Sequence, residues 1–266
     1  MISAKAMQAA SDLLWGHWNE GTVVEALPPE MRPATRQEGY AIQALLMQRA
    51  SKPLFGWKIA ATSKAGQQHI NVDGPLAGRI LAERVVPAGS TIRLAANRMR
   101  VAEAEMCFRM GRDLPPRPEP HTEAEVLDAI GHLHLAIEVP DSRYTDFTKV
   151  GAAQLIADDA CAHQFTLGPV AAGDWRGMDL ATLEVVGAVT GRGGRSLVHR
   201  GKGANVLGGP LIAMTWLVNE LSGLGITLKA GEVVTTGTCV VPMPLEPGDT
   251  VSADFGPLGK VGLAFA

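Results

Sequence analysis

The sequence predicts an α+β fold in which a helical N-terminal segment packs on a mixed β core. Three observations predict it. Residues 4–18 are rich in Ala and Leu and hold no Gly before Gly16. From Gly56 onward, short apolar runs are separated by Gly, Pro, Asn and Asp, the punctuation of strands and turns. These runs do not alternate regularly with helical stretches, so a doubly wound parallel sheet is not favoured. The 266 residues are read as one domain, with 1–55 as the helical segment and 56–266 as the β-rich core.

Composition agrees with a packed, soluble protein. Hydrophobic residues make up 46% and charged residues 19%, which excludes general disorder. Lys plus Arg number 24 against 27 Asp plus Glu, a net charge of -3. No basic excess points to nucleic acid. No apolar run is long enough to span a membrane, and the start Met1-Ile2-Ser3-Ala4-Lys5 has no signal-peptide core. Cys107, Cys161 and Cys239 are odd in number and widely spaced, which suits a reducing, cytoplasmic setting better than a disulfide framework.

The elements follow in order. A helix covers 4–18. A second starts at the capping-box spacing Thr35-Arg36-Gln37-Glu38, continues through Tyr40, Leu45 and Leu46, and ends before Pro53. Strands are expected over 79–86, 91–94, 100–110, 132–139, 183–190, 232–241 and 250–253. Thr122-Glu123-Ala124-Glu125 is another capping box and opens a helix to about residue 130. Pro210 fits a first helical position, and the helix it opens is stopped by Gly223.

Three constellations carry possible chemistry. In Val101-Ala102-Glu103-Ala104-Glu105-Met106-Cys107-Phe108, strand alternation puts Glu103 and Glu105 on one face, with Cα atoms roughly 7 Å apart. Two carboxylates among apolar neighbours repel and lose hydration unless a hard divalent cation compensates. The plainer reading is a solvated acidic face on an edge strand. In His132-Leu133-His134-Leu135-Ala136-Ile137-Glu138-Val139, the Leu, Ile and Val residues face a core, which leaves Glu138 able to join the first pair from a neighbouring strand. His132, His134 and Glu138 also have cupin metal-site spacing. However, Val126 and Thr145 stand where that motif wants Gly, and ordinary strand histidines remain the plain reading. In Gly56-Trp57-Lys58-Ile59, one lysine sits in an apolar run, where it could supply charge or a proton or simply lie on an edge strand. Gly201-Lys202-Gly203-Ala204-Asn205-Val206 lacks the third Gly of a dinucleotide fingerprint, and there is no phosphate-binding loop or nucleophile elbow.

Taken in order, these pieces resemble the fumarylacetoacetate hydrolase superfamily, within it the branch of 2-oxopent-4-enoate (2-keto-4-pentenoate) hydratases and 4-oxalocrotonate decarboxylases. Glu103-Ala104-Glu105 matches the family's metal pair. Ala136-Ile137-Glu138-Val139-Pro140-Asp141-Ser142-Arg143 matches the segment of its third carboxylate, and Gly56-Trp57-Lys58-Ile59 its lysine segment. Ile156-Ala157-Asp158-Asp159-Ala160-Cys161, Thr236-Gly237-Thr238 and Pro247-Gly248-Asp249-Thr250-Val251 fit further stretches, so the resemblance spans nearly the whole chain.

The resemblance implies a β-roll or sandwich core and an Mg²⁺ or Mn²⁺ site at Glu103, Glu105 and Glu138. It implies Lys58 as a catalytic or substrate-orienting group, and substrate contacts from Lys58, Leu76, Cys161 and Thr238. The implied substrate is a small anionic 2-oxo or 2-hydroxydienoic acid from aromatic-compound breakdown. The implied reaction is hydration of a 2-hydroxy-2,4-dienoate to a 4-hydroxy-2-oxo acid. Decarboxylation of a 2-oxo-enedioate and acylpyruvate-type C–C hydrolysis use the same site, and a non-catalytic partner subunit is a further alternative. All four site residues are present, which argues against a dead site. A homo-oligomer is implied, with an aldolase or decarboxylase of the same pathway as partner. Arg143, Arg79 and Lys149 are the candidate cations for a second substrate carboxylate. Three departures from the family pattern are Cys161 where Ser is usual, Asp159 where Asn is usual, and Leu76 where many hydratases carry an acidic residue. A less polar pocket at Leu76 and Cys161 points to a substrate with a longer or more apolar tail.

Overall fold

In the computed structural model, which describes residues 2–266, two helices come first, α1 (Ala4–Glu20) and α2 (Arg36–Ala44). Strand β1 (Leu54–Ala60), helix α3 (Lys64–His69), β2 (Leu76–Leu81), β3 (Thr91–Ile92) and β4 (Val101–Met110) follow. Helix α4 (Glu123–Ala129) runs directly into β5 (Ile130–Val139), and α5 (Gly151–Ala157) precedes β6 (Gln164–Val170). The rest is β7 (Glu184–Thr190), β8 (Ser196–Lys202), α6 (Pro210–Gly223), β9 (Val233–Thr238), β10 (Met243–Pro244), β11 (Thr250–Asp254) and β12 (Lys260–Phe265). No helix among the described residues is long and apolar enough to cross a membrane.

The strands form two mixed sheets, as expected of an α+β chain of this type. A seven-stranded sheet has the order β2-β1-β9-β4-β5-β6, with β10 paired to β4. A five-stranded sheet has the order β3-β12-β11-β7-β8. The pairs β1–β9 and β3–β12 are parallel and the others antiparallel. Alternation in β5 sends Leu133, Leu135 and Ile137 into a core shared with Val251 of β11 and Leu263 and Phe265 of β12, so this core lies between the two sheets. The other face of the larger sheet turns in on itself. The sheet curls until Val85, just past β2, bridges Phe165 of β6, and Val86 N–H donates to Phe165 O at 2.8 Å. Inside this roll Ile80, Cys107, Ala136, Phe165 and Val233 form a second apolar cluster. Close strand packing here requires glycine at position 56, where a Cβ would sit 2.1 Å from the carbonyl of Val233.

The helical segment is held by its caps and one buried face. Ser3 Oγ accepts from Ala6 N–H, and Gly21 closes α1 in the left-handed conformation. Ala10, Ser11, Leu14 and Trp18 are its buried face, at the spacing of a single helical stripe. Thr122 and Glu125 form the full capping box expected of α4. At α2 the expected cap also forms. Thr35 Oγ1 accepts from Glu38 N–H, while the Glu38 carboxylate accepts from Ala34 N–H at 2.7 Å and Ile2 N–H at 2.8 Å. The second helix is also shorter than expected and passes into a 3₁₀ turn at Leu45–Gln48. The strand expected over 79–86 lies earlier, at Leu76–Leu81, and β9 stops at Thr238 rather than 241. Helices α3 and α5 and strands β6, β8 and β12 were not expected. Strand β8 reads Ser-Leu-Val-His-Arg-Gly-Lys with no buried position, so no hydrophobic alternation marks it. Strand β6 carries Gly-Pro near its end.

Candidate active site and metal centre

The site is assembled by register. Antiparallel pairing of β4 and β5 sets Glu103 opposite Glu138 and Glu105 opposite Ala136. Paired residues share a face, so three carboxylates converge inside one end of the roll, an oxygen of each within 4.8 Å of the others. Glu105 and Glu138 are buried and Glu103 is half-buried. From β1, Lys58 reaches across the roll interior, with Nζ 3.0 Å from Glu138 Oε1 and donating to Ala160 O at 2.9 Å.

Glu105 and Glu138 are held differently. Glu105 Oε2 accepts from the Thr235 hydroxyl and from Gly237 N–H at 3.0 Å. Glu138 Oε1 takes Lys58. Glu105 Oε1 and Glu138 Oε2 are buried and have no hydrogen-bond partner in the protein. Unpaired buried carboxylate oxygens are costly. Burial lifts Glu105 well above the usual carboxylate range, with Glu138 and Glu103 adding to the rise. Burial lifts Glu138 to about 7 against the opposing pull of Lys58. On Lys58 burial works against the charge, yet the nearby Glu138 and Glu103 outweigh it and hold the ammonium firmly protonated. A hard divalent cation suits this all-oxygen donor set. With Lys58 it would balance the three carboxylates. The residues present therefore fit Mg²⁺.

The carbonyl that receives Lys58 is presented by a strained turn. Asp159, Ala160 and Cys161 have φ of 54°, 49° and 62°, left-handed values that each cost on the order of 1–3 kcal/mol in non-Gly residues. The turn is pinned on both sides. Asp159 Oδ1 accepts from Arg79 N–H at 2.6 Å. Asp158 accepts from Ser142 Oγ at 2.7 Å, from Arg143 N–H at 3.0 Å and from the Arg143 guanidinium. Position 78 must be glycine here, because a Cβ would lie 2.5 Å from Asp159 O and 2.9 Å from Lys58 Cδ.

The structure thus brings Lys58, Glu103, Glu105 and Glu138 together. Cys161 closes the strained turn beside them, its thiol kept neutral as burial and nearby Asp158 push it up to about 12. Thr238 stands opposite Glu105 in register, but its hydroxyl donates to Val240 O at 2.7 Å. Leu76 is fully buried on β2, opposite Ala60, in the main core cluster. His132 and His134 sit on the β5 face away from the main core, farther along the strand from Glu138 and outside the carboxylate cluster. The cations weighed for a second carboxylate are all engaged. Arg143 pairs with Asp158. Arg79 is buried over the Trp57 ring and donates to Gln43. Lys149 pairs with Asp146 at the surface. Sequence reasoning missed Thr235, Gly237 N–H and Ala160 O. Two of these are backbone groups without a side-chain signature, and Thr235 is one of three threonines in β9, with nothing in the sequence to single it out.

A two-sheet roll with a buried tri-carboxylate cluster facing one lysine defines a class. The family model of the fumarylacetoacetate (FAA) hydrolase C-terminal domain matches residues 65–264, and the chain belongs to that family. Among individual relatives, it is 31% identical over 267 aligned residues to a 2-keto-4-pentenoate hydratase of Paraburkholderia xenovorans (strain LB400), covering 99% of this chain and 96% of that protein. It is 29% identical to a 4-oxalocrotonate decarboxylase of a Pseudomonas species, covering 86% and 87% of the two chains. Among solved structures, the 4-oxalocrotonate decarboxylase from Pseudomonas putida G7, complexed with magnesium and adipate, superposes with a TM-score of 0.89 at 26% identity, covering 100% of this chain and 99% of that one.

Proposed function

We propose that the protein is a divalent-metal-dependent hydratase of a 2-hydroxy-2,4-dienoate in aromatic-compound catabolism. The observation that carries this reading is the open donor set at Glu105 Oε1 and Glu138 Oε2 beside a charged lysine, in a chain similar along its whole length to named hydratases. Glu103, Glu105 and Glu138 would hold Mg²⁺ or Mn²⁺. When bound, the ion supplies Lewis-acid polarisation of the 2-oxygen of an anionic substrate.

The chain's own groups do the rest. Thr235 and Gly237 N–H fix the Glu105 carboxylate. Lys58, held charged by Glu138 and Glu103, offsets the substrate carboxylate in this reading. In the net reaction the enol proton is lost, C5 gains a proton to give the conjugated ketone, and water adds OH at C4 and H at C3. Of the expected substrate contacts, Cys161 beside the cluster favours an apolar tail in this reading, whereas Leu76 is closed within the core and the Thr238 hydroxyl is taken by Val240 O. The engagement of Arg79, Arg143 and Lys149 with partners inside the protein leaves none of them free for a second carboxylate, which favours a mono-acid. The similarity to 4-oxalocrotonate decarboxylases keeps decarboxylation of a 2-oxo-enedioate as the second reading. We further place the protein in the cytoplasm as a homo-oligomer beside a pathway aldolase or decarboxylase. Three free buried cysteines support a reducing compartment.

The test is an ultraviolet assay with Mg²⁺ on fresh 2-hydroxypenta-2,4-dienoate, beside a Glu103→Ala, Glu105→Ala double variant. Loss of dienol absorbance with formation of 4-hydroxy-2-oxopentanoate, abolished in the variant, is expected. Turnover confined to a 2-oxo-enedioate, with release of CO₂, would transfer the assignment to the decarboxylase.

A further inference from the structure

At the seam where β2 and β6 meet, a small internal chamber lies between Trp18 of α1 and Glu138 of the carboxylate cluster. Its volume is about 10 Å³, and Trp18, Arg79, Glu138, Ala162, His163 and Gln164 are among its walls. That is the space one water molecule needs. Four of the wall residues each carry a buried polar atom without a hydrogen-bond partner in the protein: Trp18 Nε1, Glu138 Oε2, His163 Nδ1 and Gln164 Oε1. Only three other such atoms, Glu105 Oε1, His121 Nδ1 and Asp159 Oδ2, occur among the described residues, so four of the seven belong to residues that wall this chamber.

Trp18 is packed between aromatic and cationic neighbours. The indole stacks on His163, centroids 6.1 Å apart at 29°, and the guanidinium carbons of Arg143 and Arg84 lie 4.3 Å and 4.9 Å from its ring centroid. The inventory is one N–H donor and up to three acceptors, counting the lone pair of a neutral imidazole. A water accepts one bond from the indole and donates two to the acceptors. A cleft of about 290 Å³ past the end of α1 shares Trp18, Arg84, His163 and Gln164 with the chamber.

We propose that the chamber binds one exchangeable water, hydrogen-bonded to Trp18 Nε1 and to the Glu138 carboxylate, and that Trp18 acts through it as a positioning residue for Glu138. The water site stands on the fold alone, whereas its effect on metal binding rests on the reading of Glu138 as a ligand. Carboxylates that ligate metals are themselves held by outer hydrogen bonds, and losing such a partner typically costs metal affinity.

Two measurements test this. A high-resolution crystal structure of the Mg²⁺-loaded protein is expected to show a water peak within about 3.2 Å of both Trp18 Nε1 and Glu138 Oε2. A chamber without density, or side chains rotated to bond one another, would overturn the proposal. Calorimetric titration of Mg²⁺ into Trp18→Phe, which keeps the aromatic stack and removes the N–H, is expected to show roughly tenfold weaker binding. Ala162→Val, which fills the chamber from its wall, should weaken Mg²⁺ binding in the same direction and serves if Trp18→Phe does not fold. A lower melting temperature with unchanged Mg²⁺ affinity in these variants would reduce Trp18 to a packing residue and refute the positioning role. A protein that binds Mg²⁺, responds to the variants as expected and fails to hydrate the dienoate would keep this inference and lose only the hydratase reading.

Discussion

Two buried ion pairs flank the turn at residues 158–161, and they are built to opposite ends. Arg143–Asp158 and Lys58–Glu138 are almost equally buried, with side-chain exposures of 3% and 0% against 4% and 3%. The first is saturated. Asp158 receives Ser142, the Arg143 backbone and the guanidinium, and the rest of that guanidinium donates to the carbonyls of Asp141, Asp158 and Ala162. The second is left open, with Glu138 Oε2 and the neighbouring Glu105 Oε1 unpaired in the protein. A closed pair fixes geometry, and an open one has capacity for a ligand. Equal burial therefore says little about role. The count of unmet hydrogen bonds separates scaffold from site.

The largest effect should come from breaking the closed pair. Arg143→Met leaves Asp158 charged, buried and short of its strongest donor, which should cost about 3–5 kcal/mol in denaturant unfolding. Glu138→Gln keeps the volume and an oxygen for Lys58 and removes one of three mutually repelling carboxylates. Its unfolding free energy should stay within about 1 kcal/mol of the parent, while Mg²⁺-dependent turnover is lost. Equal destabilisation by the two variants would erase the distinction between the pairs.

A smaller effect separates them by pH. The native state holds protons on Glu138, lifted by burial against Lys58 from 4.5 to about 7, and on Glu105, lifted by burial and then by Glu138 and Glu103. The unfolded chain releases those protons earlier. Between about pH 4.5 and 7 these groups therefore remove stability from the metal-free protein as pH rises. Mg²⁺ binds the deprotonated cluster and restores it. His163, depressed to about 3 by burial and by Arg143 and Arg84, adds stability with rising pH up to its unfolded value, equally with and without metal. The informative quantity is thus the gap between melting temperatures in Mg²⁺ and in EDTA. It should widen from pH 5 to pH 7, and a constant gap would mean that the carboxylates are not raised or do not bind the ion.

The legible and illegible parts of the sequence follow the same division. Glu103, Glu105 and Glu138 stood out because charge on alternate positions of apolar strands contradicts its surroundings, but pattern alone favoured a solvated acidic face, and the family resemblance joined the three into a metal site. Lys58 stood out in the same way, with an edge-strand lysine as its plain reading and the site role supplied by the resemblance. The closed pair gave no such signal, since Asp158 and Arg143 satisfy each other only after the chain has folded through a left-handed turn that no propensity predicts. Helix α1 was visible through its Ala- and Leu-rich, Gly-free composition, α4 through its capping box, and α6 through Pro210 at its start and Gly223 at its stop. Helix α5 was not, because its seven residues begin at Gly151 and carry no side-chain cap. Strand β8 is held by a backbone ladder to β7 rather than by buried side chains, and only pairing could reveal it.

The smallest predicted effect concerns the residue where the two pairs meet. Cys161 closes the strained turn, one position past the carbonyl that binds Lys58 and three past Asp158. Its thiol is neutral, buried and weakly polar. Cys161→Ser exchanges it for a smaller, more polar group at nearly constant shape, so unfolding should move by no more than about 1 kcal/mol. If the side chain belongs to the open side, preference should change instead. One methylene in an apolar pocket is worth about 1–3 kcal/mol, and a partial loss of apolar surface should lower the ratio of kcat/KM for alkyl-extended over five-carbon dienoates by roughly threefold to tenfold. An unchanged ratio with a clear loss of stability would assign Cys161 to the scaffold beside Asp158. The apolar-tail preference would then have to come from Leu76, whose side chain is already closed within the core.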